Sequence, residues 1–159
     1  MSSGSVDRPR GAGPAASTGA VVRLRDFTWD DWPQVLALWR SAGPGIHLGR
    51  SDSSAEILKK WKHDPDLFLL AESEGEVIGA VLGGYDGRRG IVYHLAVAPG
   101  RRRQGIGRAL MGELERRMAA GGCVKSYLLA TPDNPDAVAF YRRLGWDVMD
   151  MVLMGKEFE

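Results

Sequence analysis

The sequence predicts one α/β domain of the α+β kind: a mixed, mostly antiparallel sheet of six or seven strands flanked by about four helices. Three observations carry this. Leu67–Glu72, Val77–Gly84 and Ile91–Ala98 are apolar stretches separated by short turns, the pattern of an antiparallel meander. Ile91–Leu110 (IVYHLAVAPGRRRQGIGRAL) reads as strand, glycine turn and helix. Cys123–Ala130 is a further strand that follows a long helix, so it lies parallel to Ile91–Ala98 through a crossover. The meander excludes a doubly wound dinucleotide fold, in which each strand is followed by a helix.

Element by element, Met1–Ala20 is Ser, Gly, Pro and Ala with a few charges, too polar to order, and reads as a disordered tail. The domain then runs from Val21 to Glu159. Val21–Phe27 alternates apolar and charged residues as a strand with one wet face. Thr28 is an N-cap, with Asp31 three residues on and Pro33 in the first turn; Val35, Leu36, Leu38 and Trp39 form the buried stripe of the helix. Gly43–Arg50 is a glycine-rich connection, and Ser51 or Ser53 caps a second helix to about Lys62. After the meander, a helix opening near Arg108 carries Leu110, Met111, Leu114 and Met118 inward, with Glu113 and Arg117 as an exposed pair. Gly121–Gly122 ends it. Asn134 and Pro135 start a last helix to Leu144, and Trp146–Phe158 closes the chain as one bent strand or two short ones. The order is β-α-α-β-β-β-α-β-α-β.

Composition narrows the function. With 21 Lys and Arg against 20 Asp and Glu, the molecule as a whole is no polyanion binder, and Arg101–Arg103 lack the interleaved aromatics of a nucleic-acid surface. The single cysteine, Cys123, excludes an internal disulfide and suits a reducing compartment. No apolar run has membrane-spanning length and no signal-peptide core is visible, so a cytoplasmic protein is expected. Three histidines and one cysteine are too scattered for a metal site.

The chemistry concentrates at Gln104–Arg108. A tight glycine turn running into a helix leaves backbone N–H groups unpaired and pointing one way, beside the positive end of the helix dipole. That is an anion site. Arg101, Arg102 and Arg103 add full charges beside it.

Arg102-Arg103-Gln104-Gly105-Ile106-Gly107 matches the R/Q-x-x-G-x-G/A signature of the GNAT N-acyltransferases. Asn134-x-x-Ala137-x-x-Phe140-Tyr141-x-x-x-Gly145-Trp146 and the element order match as well, and the chain resembles this family over roughly Val21–Phe158. The GGYDG turn at Gly83–Gly87 is similar to the small bacterial YpeA-type branch. The resemblance implies the GNAT fold and acetyl-CoA as cosubstrate, with a primary amine of a small molecule or peptide as acceptor. It places the coenzyme's diphosphate on Arg102, Arg103, Gln104, Gly105, Ile106, Gly107 and Arg108. The pantetheine arm runs along Leu95, Ala96 and Val97 where the strand splays from its neighbour, and Asn134 and Tyr141 complete the contacts. Tyr141 is the implied acid for the departing thiolate. Family members often carry a glutamate base on the strand before the cradle. Here that strand holds Tyr93 and His94 and no carboxylate. His94 is the candidate base, ahead of Glu72 and Asp86, and alternation puts Tyr93 and His94 on opposite faces. His47, Arg50 and Asp52 lie in the connection that covers the acceptor pocket in this family. The missing carboxylate leaves a second reading, a non-catalytic acyl-CoA sensor or interaction module. Family members also often pair as homodimers.

Overall fold

The computed structural model describes residues 19–159. The tail expected over 1–20 therefore lies outside the described residues except for Gly19 and Ala20. Strands β1 (Arg23–Asp26), β2 (Phe68–Ser73), β3 (Glu76–Tyr85) and β4 (Gly90–Val97) pair antiparallel in chain order. Strand β5 (Ser126–Leu128) adds parallel to β4. The β2–β3 turn puts both Glu74 (φ 52°) and Gly75 (φ 79°) at positive φ. That is the type I′ geometry whose twist suits a two-residue hairpin.

Helices cover both faces. β2 alternates Phe68 and Leu70 toward one core with Leu69 and Ala71 toward the other. The first core holds Trp32, Val35 and Trp39 of α1 (Trp32–Ser41) and Ile57 of α2 (Ser54–His63). The second holds Leu110, Met111 and Leu114 of α3 (Ile106–Ala120). Helix α4 (Pro135–Arg143) joins the second face through Phe140 and Tyr141. α3 lies directly on β3 because Gly79 and Gly83 have no side chain there. A Cβ on Gly79 would stand 2.9 Å from Ile106, and one on Gly83 would stand 2.6 Å from Met118.

Four boundaries differ from expectation, each for a local reason. Thr28 caps a 3₁₀ turn, Trp29–Asp31, and α1 starts only at Trp32. α3 opens at Ile106, two residues before Arg108, because Gly105 at φ 78° turns the chain into the helix and Ile106 is buried. Cys123 belongs to the end of α3 and not to a strand. Its N–H donates to Met118 O at 3.0 Å past Gly122 at φ 93°, a Schellman closure, so β5 shrinks to three residues. Finally, Trp146–Phe158 forms no strand, so the sheet has five strands where six or seven were expected. An extended segment gains ladder bonds only against a partner edge. The one backbone bond made within this segment, Met151 N–H to Met149 O, is local, and Met151–Met154 stay exposed.

The entry to α1 is locked by charge. Asp31, 7% exposed, accepts two hydrogen bonds from Arg25 at 2.8 Å each, and Oδ2 also takes the Thr28 N–H (2.8 Å) and hydroxyl (3.0 Å). Arg25 also donates from Nε to Glu72 at 2.5 Å, joining β1 to β2. The Arg25 hydrogen bonds hold the Asp31 carboxyl down at about 2, against 3.8 for a free side chain. A depressed carboxyl contributes stability in full above its unfolded value, and that contribution fades as pH falls through the folded one. At about 1.4 kcal/mol per unit, Asp31→Asn should lower the unfolding free energy by about 2 kcal/mol at pH 7. Urea unfolding at pH 7 and pH 2.5 should show the gap to wild type closing toward the lower pH.

Candidate active site

β4 is paired along its whole length on one edge and along less than half of the other. β5 meets it only from Gly90 to Val92. The backbone direction of each remaining residue follows from two bonds. Gly90 N–H donates to Lys125 O on the β5 side (3.0 Å), and Ala98 N–H donates to Ile78 O on the β3 side (2.9 Å). Period two then turns Ala96 toward β3, and turns the main-chain groups of Leu95 and Val97 to the open side.

Between these stretches the register slips. Leu82 faces His94 while Gly83 faces Val92, so Tyr93 is an extra residue in a β-bulge. The bulge corrects the expectation of opposite faces: both side chains stand on the α1–α2 side. Tyr93 lies beside Lys60 of α2, 5.8 Å from Nζ to ring centroid, and His94 packs edge-to-face on Trp39 of α1 at 4.7 Å. The sequence carried one sign of this, the Gly83-Gly84 pair in the facing strand.

His94 Nε2 lies 2.7 Å from Asp52 Oδ1, and the two side chains are 14% and 12% exposed. Asp52 closes the 3₁₀ turn Arg50–Asp52, and its Oδ2 accepts the Gly49 N–H at 2.8 Å. Asp52 was readable as a loop residue near an acceptor, but not as the partner of a histidine 42 positions away. Beside this pair a groove of about 430 Å³ runs along α2, lined by Asp52, Glu56, Ile57, Lys60, Leu82 and Tyr93. The other carboxylates weighed as bases are engaged elsewhere: Glu72 pairs with Arg23 and Arg25, and Asp86 accepts the N–H groups of Arg88 and Arg89.

Past β4 the chain turns through Arg103 (φ 61°) and Gly105 (φ 78°) into α3. The first helical bond is Ala109 N–H to Gly105 O. Among the described residues, the backbone N–H groups of Gln104, Gly105, Ile106, Gly107 and Arg108 meet no acceptor. A Cβ on Gly105 would find nothing within 4 Å, so the turn faces open space. A Cβ on Gly107 would stand 3.3 Å from Phe140 and 3.7 Å from Val97, which brings the turn, the end of β4 and α4 together. Arg102, exposed at the turn, also bonds within the chain. Its guanidinium donates to Ala42 O (2.6 Å) and Val97 O (3.3 Å), bracing the turn against the end of α1. Arg103, Gln104 and Arg108 are exposed.

On α4, Asn134 accepts the Ala137 N–H at 3.2 Å as the helix cap. Its Nδ2 lies 2.8 Å from where a Cβ on Gly45 would be, so the α1–α2 connection reaches across to α4. Tyr141 packs against Phe140 (centroids 5.1 Å) and Trp146 (6.4 Å). Burial pushes its phenol up to about 12, so it stays protonated at neutral pH. Its hydroxyl meets no hydrogen-bond partner among the described residues.

Residues 22–146 match the family described as the acetyltransferase (GNAT) family. The chain belongs to the GNAT acetyltransferases. An acetyltransferase of Pectobacterium atrosepticum is 39% identical over 135 residues, covering 85% of this chain and 94% of its own. One from Sodalis glossinidius is 40% identical over 133 residues, covering 84% and 92%. These enterobacterial relatives agree with the YpeA-type branch. Among solved structures, Ard1 from Thermoplasma volcanium aligns with a TM-score of 0.72 at 23% identity, over 80% of this chain and 84% of that one. The PaiA N-acetyltransferase of Thermoplasma acidophilum, in complex with coenzyme A, aligns with a TM-score of 0.71 at 20% identity, over 83% and 93%. Both show the GNAT fold. Among the described residues, no helix is long and apolar enough to cross a membrane.

The left-handed Gly105 is the position at which this GNAT turn is least tolerant. A side chain there meets no atom but must adopt a disfavoured backbone, at roughly 1 kcal/mol. Gly105→Ala should lower stability by about that amount in urea unfolding, with the fold intact by circular dichroism.

Proposed function

We propose that the protein is an N-acetyltransferase that moves the acetyl group of acetyl-CoA to a primary amine by direct attack in a ternary complex. The observation that carries this is the run of five unpaired N–H donors, Gln104–Arg108, opening beside the unpaired edge of β4. A diphosphate suits the first feature, because several donors converge on one anion at a helix start. An amide-bearing arm suits the second, because it can take the place of a missing strand. The main-chain groups of Leu95 and the N–H of Val97 would bond that arm, and a main-chain N–H there would polarise the thioester carbonyl. The coenzyme A held by the Thermoplasma acidophilum relative supports the same assignment.

The acceptor reaches the site as an ammonium, and His94 takes one proton from it. The nitrogen then attacks the carbonyl carbon, the C–N bond forms and the C–S bond breaks. Tyr141 gives its proton to the leaving sulfur, and the surplus proton on the new amide nitrogen returns to the tyrosinate. A phenol carries its proton at neutral pH, so Tyr141 has one to give as the thiolate departs. Holding both reactants in one cleft lowers the barrier further through positioning.

The test has two parts. Titration calorimetry should show acetyl-CoA binding, and a screen of small amines and peptide N-termini should release free coenzyme A thiol. Binding with no release from any acceptor would favour the sensor reading. Tyr141→Phe should cut turnover on the order of 100-fold while acetyl-CoA affinity changes less than twofold; unchanged turnover would remove Tyr141 from the mechanism.

A further inference from the structure

We infer that Asp52 is a positioning residue that fixes the tautomer of His94, leaving Nδ1 as the atom that takes the acceptor's proton. The inference rests on the reading of the preceding subsection and goes beyond it to a residue in a different loop. Four observations support it. Asp52 Oδ1 lies 2.7 Å from His94 Nε2, with both side chains nearly buried. A carboxylate has no proton to give, so Nε2 must carry the hydrogen and the lone pair falls on Nδ1. The other oxygen, Oδ2, accepts the Gly49 N–H at 2.8 Å, so the carboxylate cannot rotate away without losing a bond. Trp39 supports the ring edge-to-face from α1, which holds its plane. Meanwhile Nδ1 makes no hydrogen bond among the described residues and is not sealed from solvent, which leaves its lone pair unclaimed.

The charged surroundings are few. Among the described residues, Asp52 is the one carboxylate within hydrogen-bond distance of the ring. Glu56, Lys59, Lys60 and His63 of α2 and Tyr93 of β4 border the adjoining groove, and from α1 the uncharged Trp39 packs on the ring. Lys60 is tied to Asp64 and Lys59 to Glu56, so neither lysine is a free competitor for the imidazole lone pair. The proton step balances: the ammonium N–H bond breaks, its proton goes to Nδ1, and its electron pair becomes the nucleophile. The Nε2–H stays on Asp52 throughout and steadies the imidazolium that forms.

Asparagine at this position is the informative change. The Gly49 N–H selects the amide oxygen, so the amide NH₂ faces Nε2 and donates to it. The ring must then carry its hydrogen on Nδ1, where it cannot accept a proton. Imidazole nitrogen-15 spectra of the wild-type full chain should show Nε2 protonated and Nδ1 bare. Asp52→Asn should exchange the two signals. Saturating acetyl-CoA should shift the wild-type Nδ1 signal and leave Nε2 in place. With the best acceptor from the amine screen, Asp52→Asn should lose on the order of 100-fold in kcat with the KM for acetyl-CoA unchanged, and Asp52→Glu should recover part of it. A wild-type ring protonated on Nδ1, an Nδ1 signal indifferent to bound acetyl-CoA, or a kcat loss under threefold would each overturn the inference. The first two outcomes are read on the wild type and do not depend on whether the variant folds. Absence of acetyl-CoA binding in calorimetry would instead sink the acetyltransferase reading, while the tautomer result would stand.

Discussion

The structure turns on one incomplete pairing. β4 keeps its bonds to β3 from end to end, with a single slip at Tyr93, but loses β5 after Val92. Main-chain donors and acceptors in a protein interior need partners, and a strand edge left half-paired is a standing demand for one. That demand sits next to a second one of the same kind, the N–H groups at the start of α3. Gly107, closely packed between Val97 and Phe140, joins the two into one continuous surface. Neither feature stabilises the fold by itself. Stability comes from elsewhere, from two dense cores on either side of β2 and β3 and from the Arg25–Asp31–Glu72 lock at the entry to α1.

Much of this was legible because it depends on short-range rules. The meander follows from strand-length apolar runs with turns between them, and Gly75 supplies a positive φ that its turn requires. The cradle follows from Gly105 and Gly107 at a helix start, and the Asn134 cap from Asn-Pro before a helical stripe. What failed has two causes, helix ends set by local backbone geometry and strand pairing at a distance. Nothing near Tyr93 signals a bulge except glycines in another strand, so simple alternation misplaced one side chain. Cys123 looked like a strand residue because its apolar neighbours do, while its N–H was already committed to Met118. Trp146–Phe158 has strand-like composition, yet composition cannot supply a partner edge.

The individual site residues divide the same way. Tyr141 is named from a motif, and the structure adds its surroundings, packed against Phe140 and Trp146 with its phenol pushed up by burial. Arg102 is named from the same kind of match, and two of its five N–H donors go to Ala42 O and Val97 O, bracing the turn against the end of α1. The guanidinium stays exposed, with donors left over on the side chain.

The bulge also explains how chemistry on one face can serve a ligand held on the other. The α3 start belongs to one face of the sheet, whereas His94, Asp52 and Tyr93 stand on the opposite one. A ligand anchored at the cradle reaches the second face only where the sheet is open, and the sheet is open between β4 and β5 just beyond the bulge. Slipping the register by one residue at that point turns His94 toward Trp39 and Asp52 while Leu95 and Val97 keep their main chain toward the gap. Without the slip, either the imidazole or the open main-chain groups would face the wrong way. The irregularity in β4 thus lets one strand turn its backbone to the open edge and a side chain to the α1–α2 face, the arrangement the proposed transfer to an amine requires.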